Sequence, residues 1–162
     1  MQKHAPETVG YTIRRMEQGD LPQVARLLRE LAGAFILPEM DADAGRLFLG
    51  ENDEVGVAAN LAKGFVYHVA ESEGAIAGFI GVRAHAHIFH LFVDTAWQRR
   101  GVARALWDAA RRVAVEGGNQ GVFTVNSSNY AVGAYLALGF APTAPMQCVK
   151  GVFFNPMQCA PT

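Results

Sequence analysis

The apolar residues of this chain follow two periods, and the changes of period divide it into elements. Tyr11-Thr-Ile-Arg-Arg-Met16 alternates with period two and predicts a short strand. Gly19-Asp20 stops it, with Asp20 placed as a helix N-cap and Pro22 in the first turn. Leu21, Val24, Leu27, Leu28 and Leu31 recur at helical spacing, so a helix runs to about Ala32. Gly33 to Gly45 reads as a loop, and Leu47 to Leu61 as one or two short helices interrupted near Gly56. Phe65–Glu71 and Ala75–Arg83 are strands joined by the turn Ser72-Glu73-Gly74, and His87–Asp94 is a third. Gly101 to Glu116 is the clearest helix. Val102, Leu106, Ala109 and Val113 form its inner stripe, while Arg104, Asp108, Arg111 and Arg112 face out. Gly117-Gly118 ends it. A strand at Val122–Val125 and a helix at Tyr130–Leu138, capped by Gly139, follow. Two strands between Thr143 and Met157 turn near Lys150-Gly151. This order predicts a single α/β (α+β) domain with a mixed, mostly antiparallel sheet of about seven strands and about four flanking helices.

Composition narrows the class. A chain of 162 residues, 51% hydrophobic, is long enough for one full core. Its net charge of −1 gives no overall attraction to nucleic acid, although arginines cluster between Arg83 and Arg112. No apolar run is long enough to span a membrane. Residues 1–10 are polar, contain Pro6 and Gly10, and read as a flexible leader before a domain over 11–162. Two cysteines, Cys148 and Cys159, make neither a disulfide framework nor a metal site, and the expected setting is reduced and cytoplasmic.

The chemistry gathers at Leu91-Phe-Val-Asp-Thr-Ala-Trp-Gln-Arg-Arg-Gly-Val-Ala-Arg104, where a strand passes through a short loop into a helix. Unpaired N–H groups and a partial positive charge at a helix N-terminus attract phosphate. Gly101 removes a side chain from that approach. Arg99, Arg100 and Arg104 add positive charge. The segment reads as a pyrophosphate cradle.

Gln98-Arg-Arg-Gly-Val-Ala103 resembles the Q/R-x-x-G-x-G/A signature of the GCN5-related N-acetyltransferases. Val125-Asn-Ser-Ser-Asn-Tyr-Ala-Val-Gly-Ala-Tyr135-Leu-Ala-Leu-Gly-Phe140 is similar to the family's stretch after its fifth strand, with its Tyr-x-x-x-Gly-Phe element. The resemblance runs from about Tyr11 to Met157. It departs at Ala103, which stands where a second glycine is commoner. The resemblance implies acetyl-coenzyme A in a V-shaped cleft between the strands at His87–Asp94 and Val122–Val125. Leu91, Phe92 and Val93 would pair with the pantetheine amides. Gln98 and the amides of Arg99, Arg100, Gly101, Val102 and Ala103, with Arg104, would hold the pyrophosphate. Asn126 and Ser128 would line the pantetheine arm. The acceptor would be a small-molecule or peptide amine, and the apolar tail Val149–Phe154 either forms a dimer interface or simply completes the sheet.

Acetyl transfer needs a neutral amine, a stabilised carbonyl oxygen and a proton for the leaving thiolate. The resemblance gives the last role to Tyr135, whose other reading is a core aromatic, and the oxyanion contact to an N–H near Phe92 or Val93. Relatives that acetylate histones carry a glutamate on the fourth strand, and counting back from Val93 places His87 there. Period-two alternation puts His85, His87, Phe89, Leu91 and Val93 on one face, with His85 the weaker alternative base. His90 falls on the other face and, like Trp97 and Trp107, reads as packing. Glu39, Asp41, Asp43, Glu51, Asp53 and Glu54 lie where the family builds its acceptor pocket. They read either as a lure for a cationic amine or as solvated surface. Two other classes fit: a non-catalytic acyl-CoA-binding sensor on the same fold, and a structural or nucleic-acid-binding module built on the arginine-rich helix.

Overall fold

A computed structural model describes residues 10–161. Residues 1–9, most of the expected leader, and residue 162 lie outside the described residues. Eight strands and five α-helices are present among those described: β1 (Thr12–Arg15), α1 (Leu21–Phe35), α2 (Ala42–Glu51), α3 (Glu54–Ala62), β2 (Val66–Ser72), β3 (Ala75–Arg83), β4 (His87–Val93), α4 (Val102–Glu116), β5 (Phe123–Ser127), α5 (Val132–Ala137), β6 (Ala141–Pro142), β7 (Gln147–Val149) and β8 (Val152–Cys159). The sheet order is β1-β2-β3-β4-β5-β8-β6, with β7 on β8. Every pairing is antiparallel except β4 with β5.

The sheet separates two cores. On one face α4 and α5 bury Val102, Leu106, Trp107 and Tyr135 against Ile80, Ile88, Phe123 and Met157. On the other, Val24, Leu28 and Leu31 of α1 and Val57 of α3 pack on Tyr67, Val69 and Phe79. The inner stripe of α4 is centred slightly differently from the expected one. Trp107, Ala110 and Ala114 are buried with Val102, Leu106 and Ala109, while Val113 is only half-buried.

Three expectations need correction. Asp20 occupies the cap position of α1 but makes no side-chain cap. Its carboxylate instead accepts from both terminal nitrogens of Arg14, at 2.8 and 2.9 Å, and from the Glu17 N–H. The Arg14 bond holds its pKa below the usual carboxylate value. Gly33 to Gly45 is not one loop: α1 runs on to Phe35, and α2 starts at Ala42 on the Asp41 side chain, which accepts from Ala44 N–H at 2.7 Å. The interruption between α2 and α3 falls at Asn52-Asp53 rather than Gly56. Asp53 caps α3 by accepting from Gly56 N–H at 2.8 Å.

That junction is tied to the sheet by a buried polar chain. Asn60 Nδ2 donates to Tyr67 Oη at 3.1 Å, and Tyr67 Oη meets His90 Nδ1 at 2.9 Å. His90 Nε2 meets Asn52 Oδ1 at 2.7 Å, and Asn52 Nδ2 donates to the Phe48 carbonyl at 2.9 Å. One assignment satisfies every donor: Tyr67 O–H donates to Nδ1, and His90 carries its proton on Nε2. Gly81 sits opposite His90 in the register, and a Cβ there would lie 2.4 Å from the Tyr67 ring. Its bare backbone lets the tyrosine reach the histidine.

Burial lowers the pKa of His90 to about 3. It also lowers that of His68, beside Arg15 and Arg112, to about 4. Both are neutral in the folded state, whereas the unfolded chain protonates them near pH ~6.5. Stability is therefore complete above that pH and falls as pH drops towards the folded values, by up to about 1.4 kcal/mol per pH unit for each histidine. The depressed Asp20 acts only below its ordinary value of 3.8. Urea unfolding between pH 4 and 6.5 is expected to show the histidine slope. His68→Leu, which replaces a ring whose Nδ1 has no partner among the described residues, is expected to reduce it to the share of His90. An unchanged slope in that variant would show that His68 titrates normally.

Candidate functional site

Strand β4 carries one residue too many for its neighbour. Gly81 faces His90, the next pair is Val82 with Ile88, and Phe89 is left over as a β-bulge. The bulge breaks the expected alternation. Ile88 shares a core with Leu91 and Val93, three and five residues away, while His90 and Phe92 face the α1–α3 side. His87 is therefore not on the face of Leu91 and Val93, which corrects the period-two reading. His85 lies outside the strand, in a turn with φ +54°, against Gly117 at the end of α4. It takes no part in the site.

β4 and β5 pair only at His87 with Thr124 and Ile88 with Val125. β5 pairs with β8 along its other edge throughout, but past Val125 it no longer pairs with β4, and the β5-facing edge of Leu91–Val93 has no strand partner among the described residues. The fork opens into a cleft of about 900 Å³. His87, Tyr135 and every residue nominated to hold the cofactor except Arg100 line it.

At the mouth, Arg99 and Gly101 are both left-handed, with φ +62° and +79°. Gly101 is the N-cap residue of α4. A Cβ on Gly101 would meet only Tyr11 Oη, at 3.8 Å, so the backbone angle rather than crowding demands glycine. The first amides of α4 open toward the cleft with no side-chain cap. The flanking side chains are divided. Gln98 braces the loop, with Nε2 donating to the Val93 carbonyl at 3.1 Å and Oε1 accepting from Tyr130 O–H at 3.3 Å. Arg100 stacks over Trp97 at 5.0 Å, so Trp97 does more than pack. Arg104 donates to the Ala137 carbonyl at 2.7 Å and ties α4 to α5.

His87 sits at the fork. Its Nδ1 shares a 2.7 Å hydrogen bond with Thr124 Oγ1. Burial, with a smaller push from Arg83, lowers its pKa, so the ring is neutral at neutral pH. Tyr135, in the wall of α5, is buried and edge-on to Phe140 at 5.6 Å. Burial raises its pKa well above the ordinary phenol value, which keeps its proton in place. Asn126 is exposed on β5, and Ser128 accepts from Ala131 N–H at 3.2 Å, fixing the entry to α5.

Sequence reasoning missed the aromatic residues that line the cleft. Phe35 of α1 stacks on Tyr130 at 4.1 Å, and Phe48, Phe89, Phe153 and Phe154 line the same space. Spacing alone did not reveal them, since they come from five separated segments. The acidic group is dispersed. Asp41 and Asp53 are helix caps, Asp43 pairs with Arg46, and Glu39 accepts from Asn129. Of the six, Glu51 alone lines the cleft.

Comparison with known proteins places this architecture. Among curated protein sequences none matches the chain. Among solved structures it is similar to a GCN5-related N-acetyltransferase from Rhodopseudomonas palustris, at 20% identity and a TM-score of 0.75, over 98% of this chain and 99% of that one. It is similar to the PaiA N-acetyltransferase from Thermoplasma acidophilum in complex with coenzyme A, at 14% identity and a TM-score of 0.71, over 93% and 99%. It is also similar to the ribosomal-protein-S18-alanine N-acetyltransferase from Escherichia coli, at 21% identity and a TM-score of 0.64, over 92% of each chain. These likenesses fix the fold. Residues 48–161, which include the bulged strand, the left-handed loop and Tyr135, match the acetyltransferase (GNAT) domain, and the chain belongs to that family.

Proposed function

We propose that this chain is an acetyl-coenzyme A-dependent N-acetyltransferase that transfers the acetyl group directly to a primary amine. The observation that carries the reading is the fork: an unpaired β4 edge leading to an uncapped α4 N-terminus behind a left-handed loop. An extended amide chain can add to such an edge, and a pyrophosphate suits such a helix end. The coenzyme A bound by the PaiA relative supports the same choice of ligand.

His87, neutral and held by Thr124, takes a proton from the attacking amine. The new N–C bond forms as a backbone N–H near Phe92 or Val93 meets the developing oxyanion. The C–S bond then breaks, and Tyr135 gives its proton to the sulfur. Neither Cys148, exposed in β7, nor Cys159, buried in β8, lines the cleft, so direct attack without a thioester on the protein is the simpler route.

Acetyl-coenzyme A at ~100-fold over Kd is expected to add ~2.7 kcal/mol, a Tm rise of roughly 5–11 °C for a domain of this size. Gly101→Glu is expected to lower the unliganded stability by about 1–2 kcal/mol, the cost of a left-handed L-residue, and to abolish the ligand shift. A full shift in that variant would place the cofactor elsewhere. In steady-state kinetics, His87→Gln is expected to lower kcat by about 10²-fold or more and to remove the acid limb of the pH profile, which lies below pH ~6.5. Tyr135→Phe is expected to lower kcat while leaving the acetyl-coenzyme A shift intact. An unchanged pH profile in His87→Gln would remove that residue from proton transfer. An acetyl-coenzyme A shift with no turnover of any amine would instead favour the sensor reading.

A further inference from the structure

The lining of the cleft has a composition that selects among amines. Phe35, Phe48, Phe89, Phe153 and Phe154 are among the residues that line it. Among the described residues, Glu51 is the one carboxylate that lines the cleft. From this we infer that the acceptor is a small monoamine with an aromatic or bulky apolar body, its ammonium held by Glu51. The inference rests on the acetyltransferase reading and names the substrate class of the same site.

Three observations converge on it. The first is the dispersal of the other acids. A polyamine or an aminosugar antibiotic carries several ammonium groups and needs several carboxylates. Here Asp41 and Asp53 are engaged as caps, Asp43 faces Arg46, and Glu39 receives the Asn129 amide. One carboxylate pairs one ammonium.

The second is where Glu51 stands. It is the last residue of α2, next to helix carbonyls that carry partial negative charge. A carboxylate is disfavoured there, and no basic side chain forms a salt bridge with it among the described residues. A bound cation relieves both the carboxylate and the helix end. Its neighbour Asn52 is fixed by His90 and the Phe48 carbonyl, so the backbone that carries Glu51 is anchored to β4.

The third is how the elements that line the cleft are tied together. The tip of the β7–β8 hairpin packs on the first turn of α2: a Cβ on Gly151 would lie 3.1 Å from Ala44 Cβ and 3.2 Å from the Asp41 carboxylate. The Phe35–Tyr130 stack joins α1 to the β5–α5 loop. These two contacts tie α2 to the β7–β8 hairpin and α1 to the β5–α5 loop, so the elements that carry the rings are held together. The rings then remove the body of the amine from water, where burial of apolar surface is the main driving force.

The test compares acceptors by steady-state thiol release with saturating acetyl-coenzyme A. Phenethylamine and cyclohexylmethylamine stand for the apolar monoamines, spermidine for polyamines, and a short peptide with N-terminal alanine for protein N-termini. The expected order of kcat/KM puts both monoamines first. Glu51→Gln, at an exposed position, is expected to raise KM for phenethylamine about 10-fold, the loss of one charge-assisted hydrogen bond, with kcat and the KM for acetyl-coenzyme A unchanged. Preference for spermidine or the peptide overturns the inference and leaves the acetyltransferase reading standing. So does an unchanged phenethylamine KM in Glu51→Gln. Failure to release thiol with any amine, in protein whose Tm rises with acetyl-coenzyme A, overturns the acceptor class. A Tm that does not respond to acetyl-coenzyme A removes the acetyltransferase reading itself.

Discussion

The site depends on one lost stretch of sheet pairing. Strands β4 and β5 share two residue pairs and then part, and the extra residue Phe89 lies next to the point of parting. A bulge bends its strand and ends regular pairing. Here it also resets which face each side chain occupies. Leu91 and Val93 turn to the α4 core, while His90 and Phe92 turn to the α1–α3 core. An unpaired strand edge is normally a liability, because it invites another chain to add to it. In this molecule the edge opens into a cleft rather than onto bulk surface, and its donors and acceptors are available to an extended ligand.

The other parts of the site follow from holding that fork open. Gln98 braces the loop against Val93 and Tyr130, and Arg104 ties α4 to the end of α5. The chain Asn60–Tyr67–His90–Asn52 pins the α2–α3 junction to β4 through groups that are buried and mutually satisfied. Removing one member would leave the next buried and unpaired, at a cost of about 1–3 kcal/mol. The two histidines of β4 thus divide their tasks. His90 is locked and neutral within the buried chain, whereas His87, at the fork, is neutral and hydrogen-bonded to Thr124.

The strands and α4 were legible because each has a long, uniform period. So was the loop at 98–103, where Gly101 and its arginines stand against an apolar background. The bulge was not legible, since His87-Ile-Phe-His-Leu-Phe-Val93 fits both a regular strand and an interrupted one. That ambiguity put His87 on the wrong face, while His90 fell on the expected other face and only its hydrogen-bond chain went unseen. Its signal was Gly81 in the neighbouring strand, which only the register connects to His90. Residues 33–64 were hard for a different reason. Asp41 and Asp53 are ordinary caps, but so many acids lie nearby that no single one stands out as a boundary. The aromatic lining of the cleft was the least legible part, because its residues come from α1, α2, β4 and β8, which only tertiary structure assembles.

The most direct test of this account is a crystal structure with coenzyme A bound. The account predicts the pantetheine arm in the fork, hydrogen-bonded to the backbone of Leu91–Val93, and the pyrophosphate on the amides of residues 99–103. A cofactor bound elsewhere, or a fork closed by continued β4–β5 pairing, would contradict it.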